Sequence, residues 1–273
     1  MTLALGPVGV ALTVSETYLD EAAEAERLGY RAAWLAGGQL DRLSRLADVV
    51  RATTAMQVGS SIISLDVYAA DMVAEFYARE DEAAPGRLVI GLGGPQKPHP
   101  LPAMRDFLDT LDAAQPPVPG HRRLLAALGP RKLEMARDRS AGAILLLVTR
   151  AYIGTVRELL GEHSTLVVDQ FVVADSSAAQ ARQTAARSLR FLAGLPGYQA
   201  SLARMGFTAD EIAGVGERLF DELVIWGDAK QIGARISAQL AAGADHVILH
   251  VLSESHQPGT MQVARSLAGL LPR

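Results

Sequence analysis

Two basic residues follow a Gly-Pro pair near the middle of the chain, where a predicted strand passes into a predicted helix. The segment reads Ala126-Ala127-Leu128-Gly129-Pro130-Arg131-Lys132. Backbone N–H groups at the start of a helix are unpaired and attract anions, and proline suits the first helical turn. Because Arg131 and Lys132 oppose the dipole of the helix that they begin, their positions favour a bound anion. The turn from Ala127 to Lys132 is therefore a candidate phosphate site; the alternative is an ordinary turn with two solvated basic residues.

Small residues end two further predicted strands. The segment Pro85–Gly94 is rich in glycine, and glycine lets a ligand approach the backbone closely. It does not match the dinucleotide fingerprint G-x-G-x-x-G, because the sixth position is Gln96. The segment Gly59-Ser60-Ser61-Ile62-Ile63 places small hydroxyl groups at another strand end. A flexible loop and a plain strand end are the alternatives for these two segments.

Two histidines, His246 and His250, lie four residues apart on one face of the last predicted strand. A metal site would need a third ligand of fitting geometry, and no partner stands out in the sequence. We interpret His246 as a packed or hydrogen-bonded residue. His250 is nearer the carboxyl end of the strand and is a candidate for the ligand-binding side.

The composition excludes several classes of function. Cysteine is absent, which removes disulfides, thiolate catalysis and cysteine-bound metals. Lys and Arg total 26 and Asp and Glu total 30, a net charge of -4; this argues against nucleic acid as a partner, because phosphate backbones require a basic surface. No apolar stretch approaches the ~18 residues of a membrane span, and the first residues lack the charged start of a signal peptide. We expect a soluble, cytoplasmic protein with no membrane partner.

Apolar segments of strand type alternate with amphipathic segments of helix type along the 273 residues. The strands are apolar throughout, which is typical of parallel strands buried on both faces. Eight such units within this length favour a single closed (β/α)₈ barrel of the TIM type over residues 1–273, with any active site at the carboxyl ends of the strands. The predicted strands are Pro7–Leu12, Arg31–Leu35, Met56–Ile63, Leu88–Gly91, Leu124–Ala127, Ala143–Val148, Leu166–Ala174 and Asp245–Val251.

One segment interrupts the alternation. Residues 195–227 contain at least two short helical pieces with no strand between them, and we interpret them as a helical insertion before the last βα unit. Asp228 and Gln231 then open a helix as a capping box. For the first helix, predicted over Thr17–Leu28, we expect Ser15 to be the capping residue.

Several short segments form a specific pattern when they are taken in order, although each is weak alone. They are Leu28–Leu35, Pro85–Gly93, Leu124–Leu133, Leu195–Tyr198, Met205–Phe207, Trp226–Asp228 and Ala242–Val247. This ordered set resembles the bacterial luciferase-like superfamily, and within it the F420-dependent oxidoreductases of actinobacteria. The resemblance spans nearly the whole chain.

The resemblance implies a (β/α)₈ barrel, usually a homodimer, that holds coenzyme F420 or FMN at its mouth and transfers hydride to or from a small organic substrate. It also implies a non-prolyl cis peptide near Ser61–Ile62, at the end of the third strand, and the coenzyme phosphate on the turn from Ala127 to Lys132. F420 is preferred over FMN by analogy with the same branch. By location, His250 and Gln39 are candidates for a catalytic acid or base. The implied cofactor-binding residues are Trp34, Gly37, Ser61, Ile62, Gly91, Gly93, Ala127, Gly129, Pro130, Arg131 and Lys132.

The sixth strand departs from the family pattern. Relatives have a His-Pro-Tyr stretch at this place, whereas this chain has Ile144, Leu145 and Leu146. An apolar wall would then replace polar contacts beside the cofactor pocket, which bears on whether the cofactor is retained. Two functions stay open: an F420- or FMN-dependent oxidoreductase, and a cofactor-deficient barrel that binds a ligand or partner. A phosphate-binding lyase or isomerase would need a lysine or carboxylate at a strand end, and the sequence shows no convincing one.

Overall fold

Strands and helices alternate along the chain as the sequence predicts. A computed structural model describes residues 3–94 and 100–270. Its eight barrel strands all run parallel to their neighbours. They are β1 (Val8–Leu12), β2 (Ala32–Ala36), β3 (Gln57–Ser61), β4 (Leu88–Gly93), β5 (Arg123–Ala126), β6 (Gly142–Leu146), β7 (Thr165–Val173) and β8 (His246–Val251).

The barrel closes because β8 pairs with both β1 and β7. Val8 lies opposite Val247 in the first pairing, and Phe171 lies opposite His250 in the second. The predicted TIM-type barrel is confirmed. Since all eight strands are parallel, their carboxyl ends meet at one mouth, which is where enzymes of this fold place their sites.

Helices cover the outside of the barrel. No helix within the described ranges combines the length and the apolarity that crossing a lipid bilayer requires. The helices are α1 (Tyr18–Arg27), α2 (Ser44–Ala52), α3 (Ala70–Ala83), α4 (Pro100–Ala113), α5 (Pro130–Arg139), α6 (Arg150–Leu160), α7 (Ala178–Ala193), α8 (Pro196–Arg204), α9 (Ala209–Gly214), α10 (Glu217–Leu223), α11 (Ala229–Ala241) and α12 (Thr260–Leu267).

The predicted helical insertion consists of α8, α9 and α10, which lie between α7 and the last βα unit. It also ends in a short strand, Val224–Trp226, that the sequence analysis did not predict. This strand pairs with Phe171 to Val173 at the end of β7. Pairing of β6 with β7 stops at Asp169, so the short strand satisfies backbone groups that the long β7 would otherwise leave open.

The third predicted strand is interrupted. It was expected to run unbroken from Met56 to Ile63, but β3 ends at Ser61 and a two-residue strand, Ile63–Ser64, pairs with the end of β4. The Ser61–Ile62 peptide between them is cis, at the place where the family resemblance implies one. Gln96, which follows β4 in the sequence, lies outside the described residues.

Helix caps follow the predictions in part. Asp228 and Gln231 form the predicted capping box at the start of α11. The prediction of Ser15 as the cap of α1 is wrong, because Thr17 is the residue at that position and makes no side-chain capping bond. The Ser15 hydroxyl instead accepts a hydrogen bond from the Thr17 N–H at 3.2 Å, inside the preceding turn.

A tryptophan and a histidine fill the interior of the barrel towards its amino-terminal end. The Trp34 indole N–H donates to Nε2 of His246 at 3.0 Å, and Nδ1 of His246 lies 2.6 Å from the Gly6 carbonyl oxygen. Since a carbonyl can only accept, Nδ1 carries the hydrogen and the ring is neutral. Burial lowers the pKa of His246 to about 4. The indole fits because β3 has Gly59 beside it, where a Cβ would lie 2.3 Å from the ring.

Candidate functional site

A cavity of about 680 Å³ opens at the carboxyl ends of β3, β5, β6 and β7. This volume is within the range of small-molecule sites, which is roughly 300–1,000 Å³. The insertion contributes one wall through α8, so the site is built by the barrel and the insertion together. The residues that matter most below are Ser61, Ile62, Lys132, Ile144, Asp169, Tyr198 and Arg204.

The predicted phosphate turn lies at the edge of this cavity. Gly129 is the N-cap of α5, and Pro130 is its first residue. The Gly129 carbonyl accepts the N–H groups of Lys132 and Leu133, both at 3.0 Å. Within the described residues, the amides of Leu128, Gly129 and Arg131 have no acceptor. Free amides at a helix start are the backbone element of an anion site.

Three basic side chains lie in or beside this turn. Arg131 and Lys132 come from the first turn of α5, and Arg204 comes from the end of α8; all three line the cavity. Within residues 3–94 and 100–270, none of the three has a carboxylate at ion-pair distance. Burial lowers the pKa of Lys132. Lys132 has no carboxylate beside it, so an anion in the cavity would provide the negative charge that stabilises its half-buried ammonium group.

The opposite wall contains the Ser61–Ile62 peptide, and three predicted glycines surround it. A Cβ on Gly37 would lie 2.5 Å from the Ile62 carbonyl oxygen, and a Cβ on Gly91 would lie 2.0 Å from the Ser60 carbonyl oxygen. A Cβ on Gly93 would lie 2.6 Å from the end of the Ile62 side chain. These glycines do not line the cavity. Glycine is required at these positions because the Ser60–Ile62 segment passes so close to them. The three glycines thereby allow this segment to form part of the cavity wall.

The apolar stretch of the sixth strand does line the cavity. Ile144, Leu145 and Leu146 all contribute to its wall, together with Leu192 and Leu195 from the region around the insertion. Ile144 also belongs to the apolar interior of the barrel. The three residues therefore line the cavity, and their position beside a cofactor stays a prediction.

An acidic side chain lies at the inner end of the cavity. Asp169, on β7, is 3% exposed, and its Oδ1 lies 3.0 Å from Nδ1 of His250 on β8. Burial lowers the pKa of His250, but the charge and hydrogen bond of Asp169 outweigh it and leave the pKa above its ordinary value. Burial also raises the pKa of Tyr198, and the charge of Asp169 adds to this. The sequence analysis named no carboxylate for this cavity; Asp169 lines it from the middle of β7, opposite Leu146 at the end of β6.

The other predicted site residues lie elsewhere. Trp34 is fully buried in the barrel interior beside His246, and Ala127 is buried in the core. The Gln39 side chain accepts the Val14 N–H at 3.0 Å and does not line the cavity. His250 reaches the cavity only through Asp169. The structure thus brings together Ser61, Ile62 and the Gly129–Lys132 turn.

The sequence analysis missed Asp169, Tyr198 and Arg204. For Asp169 a signal existed, because it is the one charged residue in the buried strand sequence TLVVDQFVV, and an isolated charge in a buried strand needs an explanation. Tyr198 and Arg204 lie on an insertion helix, for which the sequence analysis used Leu195–Tyr198 only as part of the family resemblance. Only the folded chain shows that this helix lies over the phosphate turn.

Comparison with known families and structures agrees with the fold described above. Residues 10–104, from β1 to the start of α4, match the family model of luciferase-like monooxygenases. The resemblance to luciferase-like proteins is confirmed. No curated protein matches the sequence significantly.

Solved structures of similar fold include coenzyme-dependent oxidoreductases. An F420-dependent secondary alcohol dehydrogenase, in complex with an F420–acetone adduct, has a TM-score of 0.70 at 14% identity, with coverage of 100% of this chain and 99% of that one. The F420-dependent tetrahydromethanopterin reductase of Methanopyrus kandleri has a TM-score of 0.75 at 16% identity, with coverage of 98% of this chain and 99% of that one. The oxygenating constituent of 3,6-diketocamphane monooxygenase from Pseudomonas putida, in complex with FMN, has a TM-score of 0.68 at 9% identity, with coverage of 98% of this chain and 99% of that one. At these identities the similarity shows the fold.

Proposed function

We propose that this luciferase-like barrel is an oxidoreductase that transfers hydride between a phosphate-bearing coenzyme, F420 or FMN, and a small organic substrate. The observation that carries the proposal is that Arg131, Lys132 and Arg204, all without ion-pair partners in the described residues, line one cavity beside the free amides at the start of α5. The F420- and FMN-binding structures of the same fold support it.

The residues of the cavity fit such a coenzyme. Both F420 and FMN carry a phosphate group, which the amides of Gly129 and Arg131 would hold together with the Lys132 and Arg204 side chains. The wall formed by Ile62 and Ile144 offers an apolar surface to a flat ring system. When it is bound, the coenzyme donates or accepts the hydride, and the protein contributes binding, orientation and electrostatics.

The chain's own residues would also control the environment of the reaction. Leu192, Leu195 and Pro196 line the cavity from the α7–α8 connection and would exclude water from it. Removing water strengthens the interaction of a bound phosphate with the Lys132 ammonium, because charges attract more strongly at low dielectric constant.

Between the two coenzymes we propose F420, since the sequence motifs resemble the F420-dependent branch most closely. We also propose that the protein works in the cytoplasm as a homodimer, which is usual for the superfamily that it resembles.

A binding titration tests the proposal. Purified protein is titrated with F420, with FMN and with riboflavin, which lacks the phosphate, while the fluorescence of the ring is followed. We expect F420 or FMN to bind in the low micromolar range and riboflavin to bind at least about tenfold more weakly, since charge-assisted hydrogen bonds contribute about 1.5–3 kcal/mol each. Absence of binding by both F420 and FMN at tens of micromolar would overturn the proposal.

A second function has one observation in its favour. The cavity wall contains Ile144, Leu145 and Leu146, where the family resemblance implies polar residues beside the cofactor, and such a wall would suit a cofactor-deficient barrel that binds an apolar ligand or partner. Tight binding of either coenzyme, followed by turnover with any hydride donor, would rule this alternative out.

A further inference from the structure

The inner end of the cavity presents a carboxylate oxygen that phosphate binding does not use. Asp169 lies on β7 in register with Leu146 of β6, and both residues line the cavity. Its Oδ1 is held by His250 at 3.0 Å. In the described part of the chain, Oδ2 has no hydrogen-bond donor. Oδ2 is therefore open to the cavity, where a ligand or a water molecule can donate a hydrogen bond to it.

A hydroxyl group faces the same cavity from the insertion. Tyr198 lies on α8, and no residue of the described ranges makes a hydrogen bond to its hydroxyl. Burial and the nearby charge of Asp169 both raise the pKa of Tyr198, so the hydroxyl stays protonated and can donate a hydrogen bond. Asp169 therefore offers an acceptor, and Tyr198 a donor, to a ligand in this cavity.

The two ends of the cavity carry opposite charge. Arg131, Lys132 and Arg204 lie at the phosphate turn, whereas Asp169 lies at the inner end, and the wall between them is apolar. An anionic group is attracted to the turn and repelled from Asp169. A neutral hydroxyl group at the inner end can donate to Asp169 and accept from Tyr198. Discrimination of this kind rests on repulsion of the wrong ligand as well as attraction of the right one.

We propose that Asp169 and Tyr198 bind the oxygen atom of a neutral alcohol or carbonyl substrate, and that Asp169 exchanges a proton with that oxygen. The proton exchange rests on the proposed function. During oxidation, the O–H bond of the alcohol breaks and its proton passes to Oδ2 of Asp169. The C–H bond breaks as well, its hydrogen leaves as hydride to the oxidised deazaflavin or flavin, and the C=O double bond forms.

The reverse reaction uses the same groups. Hydride is added to the carbonyl carbon, and the proton on Asp169 returns to the oxygen. Tyr198 donates a hydrogen bond to that oxygen in both directions. His250 acts through Asp169 as a positioning residue, since its ring holds Oδ1 and leaves Oδ2 directed to the substrate.

Recognition at the inner end is tested without any coenzyme. The six histidines are labelled with ¹³C, and the His250 resonance is assigned by its loss in His250→Gln. Benzyl alcohol and benzoate, which differ in the charge of one group, are then added separately. We expect benzyl alcohol to shift the His250 resonance at millimolar concentration and benzoate to leave it unchanged. An equal response to both probes would overturn the proposed recognition.

Variants identify the groups responsible. Asp169→Asn removes the repelling charge at nearly constant shape, so we expect benzoate to bind at His250 about tenfold more tightly or better. Tyr198→Phe should weaken benzyl alcohol binding several-fold, and Tyr18→Phe, which alters a buried tyrosine of α1, should leave it unchanged. If Asp169→Asn and Tyr198→Phe bind both probes as the unmodified protein does, the inner end does not recognise the ligand and the proposal fails.

The proton transfer is tested in the coenzyme-loaded protein with benzyl alcohol as substrate. Asp169→Asn should lower kcat about a hundredfold, within the usual range for a general base, with coenzyme affinity retained. His250→Gln should lower kcat and leave KM nearly unchanged, as a positioning residue would. An unchanged kcat in Asp169→Asn overturns the assignment. If neither coenzyme binds, the proposed function is wrong and so is the proton exchange that rests on it. The experiment with benzyl alcohol and benzoate needs no coenzyme and still tests whether Asp169 and Tyr198 recognise a neutral ligand.

Discussion

Nη1 of Arg204 donates a hydrogen bond to the carbonyl oxygen of Leu128 at 3.0 Å, across 76 positions of sequence. The same oxygen accepts the hydroxyl of Tyr152 at 2.7 Å. These two bonds fix the turn that precedes α5 and place a cation of the insertion beside its free amides. The insertion is therefore part of the candidate phosphate site.

Lys132 is expected to contribute to phosphate affinity through its charge. Reversal of that charge in Lys132→Glu should weaken binding of F420 or FMN at least about tenfold, because a charge-assisted hydrogen bond is replaced by repulsion. Fluorescence titration measures the change. Lys230→Glu, an exposed lysine on α11, makes the same change of net charge away from the cavity and should have no effect. Equal affinities for the two variants, both folded by circular dichroism, would count against the phosphate assignment.

Arg204 is expected to connect the insertion to ligand binding. Arg204→Leu should raise the Kd for the phosphate-bearing coenzyme about fivefold to tenfold and affect riboflavin binding much less, since the phosphate contact is lost while Tyr152 still holds the Leu128 carbonyl oxygen. The exposed Arg105 of α4 provides the control variant Arg105→Leu. A loss of affinity for riboflavin as large as that for FMN would show that Arg204 shapes the cavity in general and does not contact a phosphate.

Gly91 is expected to be required for stability, because the Ser60 backbone lies too close to it to allow a side chain. A Cβ at this position would lie 2.0 Å from the Ser60 carbonyl oxygen, so Gly91→Ala should reduce the free energy of unfolding by about 2–3 kcal/mol through overpacking. Gly214 of α9 has no atom within 4 Å of such a Cβ, and Gly214→Ala should change stability by less than about 1 kcal/mol. Urea unfolding measures both. Equal stabilities would contradict the close approach of β3 to β4.

His246 is expected to make stability depend on pH. Its pKa falls from 6.5 in the unfolded chain to about 4 in the folded protein, so the unfolded state binds the proton first as pH is lowered. Stability should therefore decrease between pH 6.5 and about 4, by about 3 kcal/mol from this group. His246→Gln should flatten the decrease, and His163→Gln, at an exposed site, should not. Parallel curves for all three proteins would exclude His246 as the source.

Much of the fold could be predicted because its signals are local. The barrel strands are continuous apolar runs, and the left-handed Gly29, at φ +95°, ends α1 before β2 as expected. The cap at Ser15 failed because Ser15 and Thr17 both suit the position, and only the path of the chain selects between them. The strand Val224–Trp226 was missed because it exists only where β6 leaves the end of β7 unpaired.

The site could be predicted only where its chemistry is contiguous in sequence. The segment from Leu128 to Lys132 contains the three free amides and two of the basic side chains within five residues, so a helix-start argument can propose it as an anion site. Gly37, Gly91 and Gly93 were predicted to bind the cofactor, whereas in the structure they leave room for the Ser60–Ile62 segment. Arg204, Tyr198 and Asp169 come from distant elements, and no local pattern relates them.

A crystal structure of the protein with F420 or FMN tests the central claim most directly. The account predicts that the phosphate lies within hydrogen-bond distance of the Gly129 and Arg131 amides, with Lys132 and Arg204 beside it. A coenzyme phosphate bound elsewhere, or a turn filled by side chains with no room for an anion, would contradict the account and leave only the barrel architecture.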